Sequence, residues 1–350
     1  MSTRFLDELA QMPAALDRLV SFYEHGGRER LRAFRQRATG IREIVCSGMG
    51  TSRFAPEAIF PRVERTGVSC RTMDAGEWLH YGSSVPADSR MVILTSQSGE
   101  SIEVKRLVEE GLAPAGYVSI TNNESSTLAR SAGITFPLLA GEEASISTKT
   151  YAATLAVLHL LAAALEGEAA VESGLKDLRE AARLLQDGPM DDIASAAAVL
   201  ARGSGIAFVG RGPAYVTARQ CALTFMEGTR GLAAAFTGGA FNHGPMESVQ
   251  EGFSLVVFQP RGATHHLAES LARTAVDRGA AVVLLTDDPH VAVPGARIVA
   301  VPGRKGTGSA EELFPLLACR VQNLLLHQVA AARGTEAGMF RYGQKVTSRE

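Results

Sequence analysis

A short segment between an apolar strand pattern and a helix pattern concentrates hydrogen-bonding groups. Residues 91–95 predict a buried strand, and a helix is predicted to begin near Ile102. The polar side chains between them are those of Ser96, Gln97, Ser98 and Ser101. Hydroxyls, an amide and backbone N–H groups at the positive end of a helix dipole favour a bound phosphate, and Gly99 permits the tight backbone. The segment therefore predicts a phosphate site that needs no lysine, rather than only a turn and a helix cap.

The composition excludes several classes of partner. The 350 residues are 46% hydrophobic and 21% charged, with a net charge of −2, which is typical of a globular protein with one large or two medium domains. Without a basic surface, nucleic acid is not an expected partner. The apolar pattern at residues 151–165 contains His159 and is too short to cross a bilayer, so it predicts a buried helix and no membrane partner.

The cysteines and the amino terminus indicate a compartment. Cys46, Cys70, Cys221 and Cys319 are widely spaced and form no CxxC pair. Cys46 and Cys221 lie in apolar contexts that predict buried free thiols. The first residues are amphipathic and include acidic side chains, unlike a signal or transit peptide. We therefore expect a cytoplasmic protein.

The two halves of the sequence repeat one pattern at an offset of about 164 residues. A strand and glycine turn at residues 44–52 recur at residues 206–213. The other matched strand patterns are 91–95 with 254–258 and 116–121 with 281–286. Because strands alternate with helices, the predicted fold class is α/β, with two doubly wound parallel-sheet subdomains related by internal duplication.

The repeat also predicts domain limits. They are an N-terminal helical arm at residues 1–40, a first sheet domain with the phosphate site at 41–170, a linker helix at 171–195, a second sheet domain at 196–335 and a C-terminal tail at 336–350. In open parallel sheets a ligand lies outside the carboxyl ends of the strands. The turn at Gly48, the serine segment and Asn122 all follow predicted strands, so we expect them to face one cleft.

The glycine turns are weak signals for a dinucleotide. Gly48-Met-Gly50 continues without the third glycine of a GxGxxG motif, so a nicotinamide cofactor is not expected. No other cofactor and no metal site is predicted. In the second half, residues 259–264 replace the serines, so one phosphate site per chain is expected.

Three ionisable residues are further candidates for chemistry. Glu227 falls at the end of a predicted helix, His243 precedes a Gly-Pro pair in a loop, and Lys345 lies in the tail. A stiff turn suits an aimed histidine side chain. Position alone leaves plainer alternatives open: a solvated helix end, a loop histidine bonded to a backbone carbonyl, and a solvated terminal lysine.

Together these motifs resemble the sugar isomerase (SIS) family over nearly the whole chain. The likeness is greatest to the double-SIS isomerase module of glucosamine-6-phosphate synthase and to stand-alone phosphosugar isomerases, aminosugar-phosphate deaminases and fructosamine-phosphate deglycases. It rests on the motifs at residues 47–52, 96–101 and 145–149, on Glu227, and on residues 243–245 and 345–347.

The resemblance implies a role for each matched residue. Phosphate would bind to Thr51, Ser52, Ser96, Gln97, Ser98 and Ser101, and the sugar to Gly50 and Ser147. Glu227 would move a proton between C1 and C2, His243 would open the sugar ring, and Lys345 would form a Schiff base with a ketose. Because the family histidine comes from a neighbouring subunit, the resemblance implies a homodimer with a shared active site, or a larger assembly of dimers.

The resemblance implies an enzyme acting on an amino-substituted hexose 6-phosphate, with deamination of glucosamine 6-phosphate as the simplest case. A fructosamine 6-phosphate deglycase, a simple aldose–ketose isomerase and a non-catalytic phosphosugar sensor remain alternatives. Thr224 stands where the synthase has a lysine, and Ala240 and Gln220 replace acidic residues. The cysteine of a glutamine-hydrolysing domain is missing, so we do not expect this chain to take nitrogen from glutamine by itself.

Overall fold

The computed structural model describes residues 3–82, 89–186, 191–203, 205–303, 311–347 and 349. The chain divides into two compact units. The first-sheet unit contains Gln11–Ala182 and Tyr342–Glu350, and the second-sheet unit contains Met1–Ala10 and Arg183–Arg341. The C-terminal tail from residue 342 onward therefore belongs to the first-sheet unit, although the whole second sheet precedes it in sequence. The domain limits derived from the repeat stay predictions.

The described α-helices are α1 (Arg4–Ala10), α2 (Met12–Glu24), α3 (Arg28–Arg37), α4 (Thr51–Phe54), α5 (Phe60–Glu64), α6 (Ala75–Tyr81), α7 (Ile102–Glu109), α8 (Thr127–Arg130), α9 (Lys149–Glu166), α10 (Glu168–Leu184), α11 (Asp191–Leu200), α12 (Pro213–Thr229), α13 (Gly238–Asn242), α14 (His265–Asp277) and α15 (Phe314–Ala332). The strands are β1 (Glu43–Gly48), β2 (Ser69–Asp74), β3 (Arg90–Thr95), β4 (Val118–Thr121), β5 (Ile134–Pro137), β6 (Gly205–Gly210), β7 (Leu232–Thr237), β8 (Ser254–Gln259), β9 (Ala281–Thr286) and β10 (Arg297–Ala300). Short 3₁₀ helices occupy Ala55–Ala58 and Pro245–Ser248.

Each unit is built on one five-stranded parallel sheet. The first has the strand order β2-β1-β3-β4-β5, and the second has the corresponding order β7-β6-β8-β9-β10. All strand pairs within both sheets are parallel. In each sheet the direction of winding reverses between two central strands, β1 and β3 or β6 and β8, which opens a crevice at their carboxyl ends. The predicted α/β class with two duplicated, doubly wound sheets is confirmed.

The strands that the sequence did not predict are β2, β5, β7 and β10, which are the four edge strands of the two sheets. The central strands are apolar because helices cover both of their faces, and β3 is buried from Met91 onward. An edge strand is less covered, so its sequence needs no continuous apolar run. Accordingly β2 reads Ser-Cys-Arg-Thr-Met-Asp and no residue in it is fully buried.

One predicted helix is broken into pieces. Residues 54–64 read as a single helix from their sequence, but the structure has α4, the 3₁₀ helix Ala55–Ala58 and α5. Pro56 and Pro61 lack the backbone N–H that a continuous helix requires, which explains the interruptions. The buried helix predicted at residues 151–165 is confirmed, because α9 is buried along almost its full length. Among the described residues, no helix is both long enough and apolar enough to cross a membrane.

The short helix α6 closes the core on one face of the first sheet. Asp74 caps its N-terminus by accepting hydrogen bonds from the backbone N–H groups of Gly76 and Glu77, at 3.0 and 3.3 Å. Trp78 is fully buried and packs in a cluster with Val45 and Leu94. Burying this large side chain ties α6 to strands β1 and β3, whose carboxyl ends carry the candidate phosphate site.

We expect Trp78→Ala to lower the free energy of unfolding by about 3–5 kcal/mol, because it leaves a cavity in the core. Tyr81→Ala is a matched control in the same helix, since Tyr81 is 84% exposed; its effect should stay within about 0.5 kcal/mol. Urea unfolding followed by circular dichroism measures both variants. Equal stability of the two variants would contradict the packing described for α6.

Candidate functional site

The donor-rich segment predicted from the sequence forms a turn between β3 and α7, here called the serine loop (residues 96–101). Its backbone is fixed to the neighbouring strand β4. The Ser96 N–H donates to the Ile120 carbonyl at 3.1 Å, and the Asn122 N–H donates to the Gln97 carbonyl at 3.0 Å. The loop therefore stands at the carboxyl edge of the first sheet, with the positive end of the α7 dipole beside it.

Gly99 is required by the shape of the serine loop. Its φ is +67°, a conformation that side chains disfavour. A Cβ atom at this position would lie 2.0 Å from Ser126 Oγ, and Ser126 caps α8. The loop can therefore lie against α8 only because residue 99 is glycine.

The hydroxyl groups of the serine loop differ in their hydrogen bonding. Ser96 Oγ accepts the Gly99 N–H at 3.1 Å and lies 3.1 Å from Ser101 Oγ, so it holds the loop together. Ser98 Oγ accepts the Glu100 N–H at 3.1 Å, while its own proton meets no acceptor within the described part of the chain. The Gln97 side-chain amide is likewise unbonded to any described residue. Gln97 and Ser98 thus have donors to offer a ligand.

The glycine turn after β1 lies beside the serine loop. Gly50 has φ +50° and immediately precedes α4, which contains Thr51 and Ser52. A Cβ atom on Gly48 would lie 2.6 Å from the Thr95 carbonyl oxygen at the end of β3, so the two strand ends touch. The structure therefore brings together Gly50, Thr51, Ser52 and the serine loop at the reversal point between β1 and β3. Asn122 instead holds a turn, because its side chain bonds the backbone of Ala140 and Gly141.

The C-terminal tail reaches the same edge of the first sheet. The Thr347 carbonyl accepts the N–H of Ile102, the first residue of α7, at 3.1 Å. Two residues earlier, Lys345 Nζ donates to Glu143 Oε1 and to the Ser145 carbonyl, both at 2.7 Å. Lys345 is therefore a docked side chain. The alternative that the sequence left open, a solvated terminal lysine, is wrong.

Glu143 is a functional candidate that the sequence analysis missed. It precedes Ser147, which is half-buried two residues before α9 begins, and its carboxylate is fully buried. The available signal was an acidic residue shortly before a helix N-terminus with hydroxyl residues, where a carboxylate is stabilised. Its pairing with Lys345 joins residues 202 positions apart, which no local pattern reveals.

The remaining candidates lie in the second-sheet unit. Glu227 is half-buried in the last turn of α12. Thr224, one turn earlier, is buried, and its hydroxyl donates to the Gln220 carbonyl at 2.9 Å. The Thr224 hydroxyl is therefore bonded within its own helix. It does not replace the lysine that the synthase has at this position.

His243 ends the short helix α13 and is exposed. Thr237 caps this helix by accepting the Ala240 N–H at 3.2 Å, and Gly244 follows His243 with φ +129°. The imidazole is therefore held on a turn fixed at both ends, and in the single chain it faces solvent.

The four cysteines are free, and Cys46 and Cys221 are buried as predicted. Burial raises the pKa of the Cys46, Cys221 and Cys319 thiols well above the usual range, and it raises the pKa of Cys70 to about 12. They stay protonated at neutral pH and are poor nucleophiles. Within the described residues, no group of three or more histidine, cysteine or acidic side chains is placed to hold a metal ion.

Two duplicated parallel sheets, the first with unbonded donors at its reversal point, define an α/β protein with a ligand crevice at the carboxyl edge. The family model for the SIS domain matches residues 39–164 and 200–310, one match for each sheet. The chain belongs to the SIS domain family.

Similar proteins agree with this assignment. The isomerizing glutamine–fructose-6-phosphate aminotransferase of Zymomonas mobilis is 26% identical over 315 residues, which are 86% of this chain and 51% of that protein. The chain thus spans about half the length of the curated relatives it matches.

Solved structures share the fold at lower identity. The C-terminal domain of glucosamine-fructose-6-phosphate aminotransferase from Francisella tularensis has a TM-score of 0.85 at 20% identity, covering 97% of this chain and 98% of that one. Tagatose-6-phosphate ketose/aldose isomerase from Escherichia coli has a TM-score of 0.77 at 22% identity, covering 94% and 92%. Glucosamine-6-phosphate deaminase from Thermotoga maritima has a TM-score of 0.73 at 18% identity, covering 98% and 99%.

We expect Ser98→Ala to weaken the binding of a sugar phosphate by about 1–3 kcal/mol, because it removes a hydroxyl donor that the loop offers to a ligand. Ser125→Ala, at an exposed position in the neighbouring loop, is the control and should bind as the wild type does. Isothermal titration with glucosamine 6-phosphate and with unphosphorylated glucosamine measures the effect. Equal affinity of the Ser98 variant and the wild type, or equal affinity for both sugars, would identify the serine loop as a purely structural turn.

Proposed function

We propose that this protein is a phosphosugar isomerase or deaminase that acts on an amino-substituted hexose 6-phosphate. The single observation that carries the proposal is the serine loop, in which Gln97 and Ser98 have donors to offer beside the helix start that Thr347 covers. Membership of the SIS domain family supports a phosphosugar as the ligand. The names of two similar proteins, a glutamine–fructose-6-phosphate aminotransferase and a glucosamine-6-phosphate deaminase, support the amino substituent.

In this proposal the candidate residues of the first-sheet unit bind the sugar phosphate. Phosphate binds to the serine loop and to Thr51 and Ser52, while Gly50 and Ser147 contact the sugar. Lys345 acts on the carbonyl of the opened sugar. Where the open sugar is a ketose, with its carbonyl at C2, the amine attacks C2 and water leaves, which gives a Schiff base that activates the neighbouring carbon atom; hydrolysis of the Schiff base by water frees the lysine again.

The proton transfers belong to the second-sheet unit. His243 assists ring opening, because imidazole can give or take a proton near neutral pH. Glu227 then carries one proton between C1 and C2 of the open chain, which requires only one carboxylate placed over both carbon atoms. Transfer of the proton from the amine-bearing carbon to its neighbour leaves an imine. Water then adds to the imine carbon, ammonia or the amine leaves and a carbonyl forms, which completes the release.

A simple aldose–ketose isomerase is the second candidate. The observation that favours it is Thr224, whose hydroxyl is bonded to its own helix at the position where the resemblance led us to seek a lysine. An isomerase needs only the proton transfer between C1 and C2, without a group that acts on a further hydroxyl. Assays of ammonia or amine release and of isomer formation with glucosamine 6-phosphate, fructoselysine 6-phosphate and glucose 6-phosphate distinguish these activities. Tight binding without turnover of any of the three would favour the sensor alternative.

We expect Glu227→Gln to lower turnover by on the order of 10² to 10⁴, the usual contribution of a positioned acid–base group, while sugar phosphate affinity survives. Glutamine keeps the volume but cannot accept the proton. Glu251→Gln, an exposed carboxylate of the same unit, is the control and should keep wild-type turnover. Undiminished turnover in the Glu227 variant would remove this residue from the mechanism.

The exposure of His243 in the single chain supports an active site completed by a second copy. If His243 acts on the partner's site, a heterodimer of one Glu227→Gln subunit and one His243→Ala subunit contains one site with both lesions and one with neither. We expect such a heterodimer, isolated with two different affinity tags, to recover about half of the wild-type activity. Inactive heterodimers of verified composition would show that both residues serve the same chain.

A further inference from the structure

The Glu143 carboxylate lies in a complete shell of donors within the first-sheet unit. Its side chain is fully buried. Oε2 accepts the N–H and the hydroxyl of Thr148, at 3.1 and 3.0 Å, and the Thr150 N–H at 3.0 Å. Oε1 accepts the Thr150 hydroxyl at 2.6 Å and Lys345 Nζ at 2.7 Å.

Four of these five donors come from two threonines at the start of α9. This helix is buried along almost its full length, and its positive end favours a negative charge. The neutral donors therefore fix the carboxylate in place whether or not the lysine is present. Lys345 is the movable partner, because it comes from the tail.

The tail itself buries little surface. From residue 342 to residue 347, Tyr342 is 88% exposed, Gly343, Gln344 and Thr347 are also exposed, and Val346 is half-buried. Burial of apolar side chains therefore contributes little to holding the tail, and Lys345, whose side chain is 19% exposed, is the best-covered charged group among the described tail residues. Its contacts to Glu143 and to the Ser145 carbonyl are charge-assisted hydrogen bonds, which are stronger than neutral ones.

We propose that Glu143 is a positioning residue: it docks the C-terminal tail and aims the Lys345 amine at the ligand beside the serine loop. The expected effect on kinetics rests on the proposed function, whereas the docking of the tail does not. An ammonium group has three donors, and the two bonds described leave one for a ligand oxygen. Docked Lys345 can thus contact a sugar without leaving Glu143, whereas Schiff-base formation needs the free amine and hence release from the carboxylate.

Docking is tested first without any sugar, by acetylation of lysines with a limiting amount of reagent and mass spectrometry. In the wild type, Lys345 should react more slowly than Lys105, whose side chain is 38% exposed. In Glu143→Gln, the Lys345 rate should rise roughly tenfold relative to Lys105, because a charge-assisted bond is lost. Glu142→Gln, the exposed neighbouring carboxylate, should leave the ratio unchanged. An unchanged ratio in folded Glu143→Gln overturns the proposal.

Lys345→Met keeps the proposal testable if Glu143→Gln does not fold, since it leaves the buried carboxylate with its threonine donors. With the tail undocked, the Ile102 amide loses its bond to Thr347 and should exchange with deuterium faster than in the wild type. The Asn122 amide, bonded to the Gln97 carbonyl in the same loop region, should keep its rate. Unchanged exchange at Ile102 would show that the lysine does not hold the tail.

Kinetics of the two single variants and the double variant separate positioning from general structural damage. If Glu143 acts through Lys345, the double variant has the same kcat/KM as Lys345→Met alone. Additive losses would assign Glu143 a structural role and contradict the proposal. If the wild type turns over none of the sugar phosphates, the proposed function fails, while the acetylation and exchange results still decide the docking.

Discussion

The structure depends on the burial of parallel strands by helices on both faces of each sheet. Such strands have no solvent-facing side, so a polar group that must meet a ligand can stand only beyond a strand end. At the reversal between β1 and β3, the chain leaves the sheet in opposite directions, and the strand ends are not covered by a connecting helix. The serine loop, the glycine turn and the docked tail all occur at this edge. They lie together because of the sheet topology, although they are far apart in the sequence.

The duplicated sheets share this topology but use it differently. In the second sheet, the turn after β8 contains Arg261, whose N–H and guanidinium both bond Asp287, the first at 2.7 Å. Gln259 donates to the His265 carbonyl at 3.1 Å. Gln259 and Arg261 thus donate to groups of their own unit, whereas the Gln97 side-chain amide and the Ser98 hydroxyl in the first sheet meet no acceptor among the described residues. The two sheets thus share the scaffold, while the donor-rich turn is described only in the first, and one phosphate site for each chain stays a prediction.

The parts of the fold that could be predicted from sequence are those with a local cause. Central strands such as β3 carry a continuous apolar run because both faces are buried, and the repeat located the corresponding strands in the second half. Edge strands such as β2 were missed because they are only half covered, and the helix at residues 54–64 was interrupted by prolines whose effect the apolar pattern hides. The same distinction holds in the site. The serine loop is contiguous and was predicted from the sequence. Glu143 was not predicted, because its partner Lys345 is 202 residues away in the sequence.

The division of the chain adds a constraint on the site. The first-sheet unit consists of Gln11–Ala182 and the last residues of the chain, with the whole second sheet between them in sequence. Glu143 and its threonine donors belong to the first segment, and Lys345 belongs to the second. A single repeat therefore cannot form the Glu143–Lys345 pair, however well its own sheet folds. If the lysine takes part in the chemistry, the duplication is needed for more than a second scaffold: the second-sheet unit is the covalent connection that returns the chain end to the serine loop.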